Sequence, residues 1–193
     1  MPRDLSPSRL EAFADGVIAV VITIRVLELR VPSTREMSNG AALSEDLRLL
    51  VVYLLSFVQT GIYWVNHDYL IDVDQISHGL LWANLAFLFC LSLIPFATNW
   101  VGVRGITPFA IALYSVCCAL PAISWIVLSR IIQRRSGKPL AGSPEKQLAS
   151  AVLYVGAIPL AYLSPIISLC MIGMVAVLWL VPPPHMRREP ARV

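Results

Sequence analysis

Three ionisable side chains, Asp15, Arg25 and Glu28, stand inside one apolar run, "RLEAFADGVIAVVITIRVLELRVP", from Arg9 to Pro32. Charge held in hydrocarbon is costly. Such residues therefore face protein or water, take a partner, and mark ion paths, proton relays or contacts between helices. On a helix turning about 100° per residue, with Gly16 as origin, Val20 falls at about 40°, Leu27 at about 20° and Thr23 at about 340°. Those four make a narrow stripe of small, branched and hydroxylated side chains. Arg25 falls at about 180° and Asp15 at about 260°, so both charges avoid the stripe. The stripe offers an uncharged edge with one hydroxyl. Asp15 offers an acceptor better suited to pinning one helix to another than to meeting a substrate. Arg25 and Glu28, three residues apart, can pair along the helix surface, and long side chains near a helix end reach the headgroups.

The remaining reactive residue types are sparse. The sequence holds no HExxH and no nucleophile–base pairing, so an enzyme is not expected. Asp72, Asp74 and His78 are a weak candidate for a metal, against the plainer reading of a solvated acidic loop. His67 and His78 read as interfacial histidines able to join or flank a polar network. Cys90, Cys117, Cys118 and Cys170 all lie in apolar runs without C-x-x-C spacing and read as buried small apolar residues. No cofactor is expected.

The elements that must position these residues follow from composition. Of 193 residues, 57% are hydrophobic and 14% charged, against roughly 25% charged in a soluble domain. Fifteen Lys and Arg against twelve Asp and Glu fall short of the basic face of a nucleic-acid binder. A membrane helix needs about 20 mostly apolar residues. Six runs qualify, at roughly 10–30, 47–66, 78–101, 106–131, 147–163 and 165–182. They predict an all-α membrane domain over residues 1–183 with a short tail at 184–193. Neither a repeat nor a separate soluble domain is visible. The polar "MPRDLSPS" and the length of the first run argue against a cleaved signal peptide.

Basic residues orient the bundle. With a cytoplasmic N-terminus, ten Lys and Arg fall in inside segments and four in outside ones, as the positive-inside rule favours. That predicts a multi-pass protein of the cell membrane with both termini cytoplasmic. Trp64, Trp82, Trp100 and Trp179 lie near span ends, where indoles anchor at the headgroups. Pro95, Pro108, Pro121 and Pro159 are expected to interrupt several spans, which neighbouring helices tolerate.

The first run resembles the first helix of the transmembrane protein 175 family of potassium channels in its six-span prokaryotic form. The family mark Arg-x-x-x-Phe-Ser-Asp-Gly reads here as Arg9, Phe13, Ala14, Asp15 and Gly16. "YWVNHDYL" and "LLWANLAFLFCLSLIPFATNWVG" are similar to its second and third helices, including the pair Trp82 and Asn84. The resemblance covers about half of the chain. It implies a homotetramer whose four first helices surround a pore, with Val20, Thr23, Leu27 and Gly16 facing the conduit and K+ as the permeant ion. It further implies a network of Arg9, Phe13, Asp15, Trp82 and Asn84 tying the first helix to the third. The pore would select through apolar and threonine rings in place of a carbonyl-lined loop, and no TVGYG-like run is present. The partners implied are a second copy of the chain, lipid and K+.

Two departures stand out. Ala14 replaces the motif serine, and Arg25 stands where the family carries a large apolar residue. Turned half a revolution, four Arg25 side chains would ring the conduit and repel cations. The sequence therefore also admits a non-conducting tetramer, or a secondary transporter of a small solute whose broken helices would use the prolines.

Overall fold

The computed structural model describes residues 6–24, 26, 39–68, 76–136 and 143–180. Their regular structure is helical throughout: α1 (Pro7–Ile24), α2 (Asn39–Asp68), α3 (His78–Arg104), α4 (Pro108–Ser136), α5 (Pro144–Leu163) and α6 (Pro165–Leu180). One helix stands for each of the six apolar runs. Among the described residues α3, residues Pro108–Arg134 of α4, and α5 are long and apolar enough to cross a bilayer, and α6 is a shorter apolar helix.

The boundaries move in instructive ways. The loop expected before residue 47 is helical from Asn39, because "AALSEDLRLL" is built of strong helix formers and a helix need not stop where apolarity does. The same reason carries α4 past residue 131 to Ser136. Apolarity predicts a first span reaching about residue 30; α1 is described over Pro7–Ile24. Arg25, Leu27 and Glu28 lie outside the described residues. Pro108 does not interrupt a span. It is the first residue of α4, a position where the missing N–H costs nothing, whereas Pro95, Pro121 and Pro159 are interior.

Short links fold the helices back on one another. Ser77 caps α3, accepting from the Leu80 amide at 3.2 Å, and Ser143 caps α5, accepting from the Lys146 amide at 3.3 Å, each satisfying an otherwise orphaned donor. Gly105 ends α3 at φ +74°, ψ −174°, its amide donating to the Val101 carbonyl at 2.8 Å. Only glycine reaches that conformation without strain. Ser164 alone separates α5 from α6.

Packing runs α3 on α4, α4 on α5 and α5 on α6, with α1 held against α2 and α3, and α2 against α3 and α6. Buried alanines at 110, 119, 122, 157, 161 and 176 let backbones approach closely, the means by which helices associate in lipid. Large apolar side chains such as Phe89, Val103 and Leu163 face outward, as they do in a bilayer. The interior also holds polar side chains. Ser56 Oγ lies 2.9 Å from Thr98 Oγ1 and 2.8 Å from Tyr114 Oη, joining α2, α3 and α4. Ser168 donates to the Ala157 carbonyl at 2.8 Å, and its Oγ lies 3.3 Å from that of Ser115. These hydroxyls take their partners from neighbouring helices, as polar groups must where water is absent.

Candidate functional site

Helix α1 has two faces. Leu10, Ala14, Ile18 and Val21 are buried against the rest of the subunit and fall between about 120° and 200° on the projection that puts Gly16 at the origin. Gly16, Val20 and Thr23 lie opposite and are all exposed, Val20 by 58%. A Cβ built on Gly16 would meet nothing within 4 Å. The uncharged stripe is therefore turned away from its own subunit. Leu27, the fourth member, lies outside the described residues, as does Arg25.

Thr23 completes its own hydrogen bonding. Its hydroxyl donates to the Ala19 carbonyl at 2.8 Å and approaches that of Val20 at 3.3 Å. Threonines in membrane helices commonly bond back in this way. With its proton committed to the backbone, Oγ1 keeps its lone pairs on the exposed side.

Asp15 flanks the stripe, half-buried, and its Oδ1 accepts from the indole Nε1 of Trp64 at 3.0 Å. The carboxylate thus ties α1 to α2. The expected link to Trp82 and Asn84 on α3 does not form within one subunit; apart from Asp15, the residues named for it separate into three groups. Asn84 is fully buried, and its Oδ1 lies 2.8 Å from His67 Nε2, so that nitrogen carries the proton. Trp82 is exposed and donates from Nε1 to His78 Nε2 at 3.2 Å. Arg9 and Phe13 are exposed on the open face of α1. Ala14 is fully buried, so the missing motif hydroxyl falls on the packed side of α1. His67 is also clasped by rings, stacked on Phe87 with centroids 5.9 Å apart and tilted toward Trp125 at 6.4 Å.

No group of three or more His, Cys, Asp or Glu side chains gathers among the described residues. Asp72 and Asp74 lie outside them. None of the four cysteines forms a disulfide; Cys117 and Cys118 are buried as expected, but Cys90 is half-buried and Cys170 exposed, because their helix positions face outward, to the bilayer-side surface.

A chain of potassium-channel sequence from Chryseobacterium sp. (strain P1-3) is 39% identical over 184 residues, covering 92% of this chain and 94% of that one. The family model described as "Endosomal/lysosomal potassium channel TMEM175" matches residues 9–95, the part that holds nearly all of α1, α2 and the first two thirds of α3. This chain belongs to the TMEM175 family of potassium channels. A potassium channel of Streptomyces collinus (strain DSM 40733 / Tue 365) is 28% identical over 183 residues, covering 87% of this chain and 88% of its own. The fold matches the crystal structure of a lysosomal potassium-selective channel TMEM175 homolog from Chamaesiphon minutus. That match has a TM-score of 0.74 at 24% identity, over 90% of this chain and 96% of that one. As a TMEM175-family channel the chain is a multi-pass membrane protein and not an enzyme.

Sequence reasoning misses two features of the site. Trp64 reads from the sequence only as an interfacial anchor, yet it is the partner of Asp15. The polar line on α2 that leads to His67, made of Ser56, Gln59, Thr60 and Tyr63, also goes unnoticed, and His67 itself is buried within the bundle instead of interfacial. The line's spacing of three and four residues in an apolar helix is a legible sign of a buried polar face.

Proposed function

We propose that the exposed stripe of α1 lines the conduit of a potassium-selective homotetramer, with four first helices set around a shared axis. The observation that carries this reading is the opposition of the two α1 faces. The subunit buries Leu10, Ala14, Ile18 and Val21, and turns Gly16, Val20 and Thr23 outward. Leu27 continues the same line by helical spacing.

Selection then takes place on side chains. Four Thr23 hydroxyls, each with its proton held by the backbone, present oxygens to an ion that has shed part of its water. Rings of Val20 and Leu27 are narrow and apolar, and such constrictions close by dewetting. No carbonyl-lined loop takes part. The channel needs no cofactor; K+ is its cargo. It sits in the cell membrane with both termini cytoplasmic, the orientation favoured by the basic residues, and its partners are its own copies and lipid. Asp15, held by Trp64, fixes the rotation of α1 about its axis instead of meeting the ion.

Bi-ionic recordings on reconstituted protein test this reading. Reversal potentials should show K+ preferred over Na+, with the preference reduced by Thr23→Val and kept by Thr23→Ser. An Arg25→Leu variant recorded beside them should conduct as the parent does. Currents that appear only in Arg25→Leu would establish a pore disabled by its arginine, and saturable counter-transport would establish a carrier.

A further inference from the structure

Among the described residues the backbones of α2 and α5 do not approach each other, although α6 packs against both. At the end of the bundle where α5 begins and α6 ends, the gap between them is a cavity of about 20 Å³. A water molecule needs roughly 10–15 Å³, so the space admits one water and little else. Its walls are polar for a membrane bundle: Gln59 and Tyr63 from α2, Gln147, Ser150 and Tyr154 from α5, and Trp179 from α6. No Asp, Glu, Lys or Arg lines it.

Most of those polar groups are engaged with one another or with near neighbours. Ser150 Oγ accepts from Trp179 Nε1 at 2.8 Å and donates to the Lys146 carbonyl at 2.7 Å. Gln147 Oε1 accepts from Ser129 at 3.2 Å, and Gln59 Oε1 accepts from Cys118 Sγ at 3.3 Å. The two tyrosines differ. Tyr154 is 3% exposed, and neither its hydroxyl nor that of Tyr63 bonds to another group among the described residues. The Trp125 N–H also lacks an acceptor among them, but that atom has essentially no accessible surface and so does not open on the cavity. The Tyr154 hydroxyl is not sealed in this way, and in a residue so deeply covered the surface it keeps is the cavity wall. Buried polar groups in native structures almost always find a partner, and an exception calls for an occupant. Inside a membrane the demand is stronger, because no bulk water supplies the missing bond.

We propose that this cavity is a hydration site, in which one ordered water bonds the hydroxyls of Tyr63 and Tyr154 and so joins α2 to α5. A hydroxyl both donates and accepts, so the pair can hold a water in either sense, and a water bridge is nearly as favourable as a direct bond. The volume excludes an organic ligand, and the lack of lining charge disfavours an ion. The site is separate from the α1 stripe and does not depend on how that stripe is used. It has a route to it all the same. Tyr63 adjoins Trp64, which holds Asp15 of α1, so the water steadies the turn of α2 that grips α1.

Synchrotron hydroxyl-radical footprinting reads such a site directly, because radicals formed from a bound water oxidise the side chain beside it. Full-length protein in nanodiscs is irradiated, and oxygen uptake at each tyrosine is measured by mass spectrometry. Tyr114 is the dry control, fully buried with its hydroxyl 2.8 Å from Ser56 Oγ. Tyr154, almost as deeply buried, should be oxidised while Tyr114 is not. Tyr63→Phe keeps the ring and removes one partner of the water, and should lower Tyr154 oxidation by up to about fivefold, the worth of one hydrogen bond. Ala122→Val adds carbon to the cavity wall and should abolish it, with an unoxidised Tyr114 as the sign that the variant is folded. A Tyr154 as inert as Tyr114 in the unsubstituted protein would overturn the proposal. So would undiminished Tyr154 oxidation in folded Tyr63→Phe or Ala122→Val. The comparison of Tyr154 with Tyr114 needs no variant to fold.

Discussion

Trp64 and Asp15 meet across 3.0 Å, an indole N–H on α2 donating to a carboxylate on α1. That bond sets which way α1 faces, because it holds the flank of the helix midway between the packed side and the open stripe. In a helix pair associating in lipid, where apolar contact alone gives little orientation, one directional bond has unusual leverage.

Removing the donor should therefore cost both stability and register. Trp64→Phe is expected to lower subunit stability by about 1 kcal/mol, below the roughly 1.5–3 kcal/mol of a bond to a charged group because Trp64 is half-exposed at 47%. Asp15→Asn, which keeps an acceptor, should lose less than Asp15→Leu. Thermal unfolding followed by size-exclusion chromatography gives the order.

The His67–Asn84 bond is dry, with both residues essentially unexposed. Truncating one partner strands the other. His67→Phe should cost about 2 kcal/mol, the range for an unsatisfied buried acceptor, and more than the double variant His67→Phe/Asn84→Leu, which removes both polar groups together. A double-mutant cycle in unfolding free energy checks this; additive costs would show that the two residues do not act as a unit.

Tyr114→Phe and Ser56→Ala remove two members of a three-residue cluster that ties α2, α3 and α4. Each should cost about 0.6–1.7 kcal/mol in unfolding free energy, the measured span for bonds between membrane helices. Together they should cost less than the sum, since the Ser56–Tyr114 bond is lost in either variant.

At the α3–α4 link, Gly105→Ala places a Cβ on a backbone at φ +74°, ψ −174°. The expected cost is about 1–3 kcal/mol from conformation alone, because a Cβ there meets no atom within 4 Å. Equal melting temperatures for Gly105→Ala and the parent would contradict that backbone geometry.

Much of this architecture is legible from the residues. Six apolar runs give six helices, and the spacing of Gly16, Val20 and Thr23 places them on one face that proves to be the open one. Helix ends are less legible: α2 reaches back to Asn39 through residues polar enough to read as loop, since helix propensity and membrane burial are different physical quantities. Partners across helices are less legible still. Asp15 announces the need for a donor, but nothing local to it distinguishes Trp64 on α2 from Trp82 on α3. Only the rotation of three packed helices decides, and that rotation is a property of the whole bundle. Trp125 carries no signal of its own: one more aromatic residue in an apolar run, its unsatisfied N–H becomes visible only when its neighbours are in place.

The most direct test concerns the open face of α1. Cysteine introduced at Val20, on that face, and at Ile18, on the packed face, should be challenged with a small cationic methanethiosulfonate during potassium current recording, beside the unsubstituted protein with its four native thiols. Val20→Cys current should fall irreversibly on exposure to the reagent, while Ile18→Cys and the unsubstituted protein keep theirs. Block of Ile18→Cys with Val20→Cys untouched would mean that α1 turns its other side to the ion and that the Gly16–Val20–Thr23 stripe does not line the conduit.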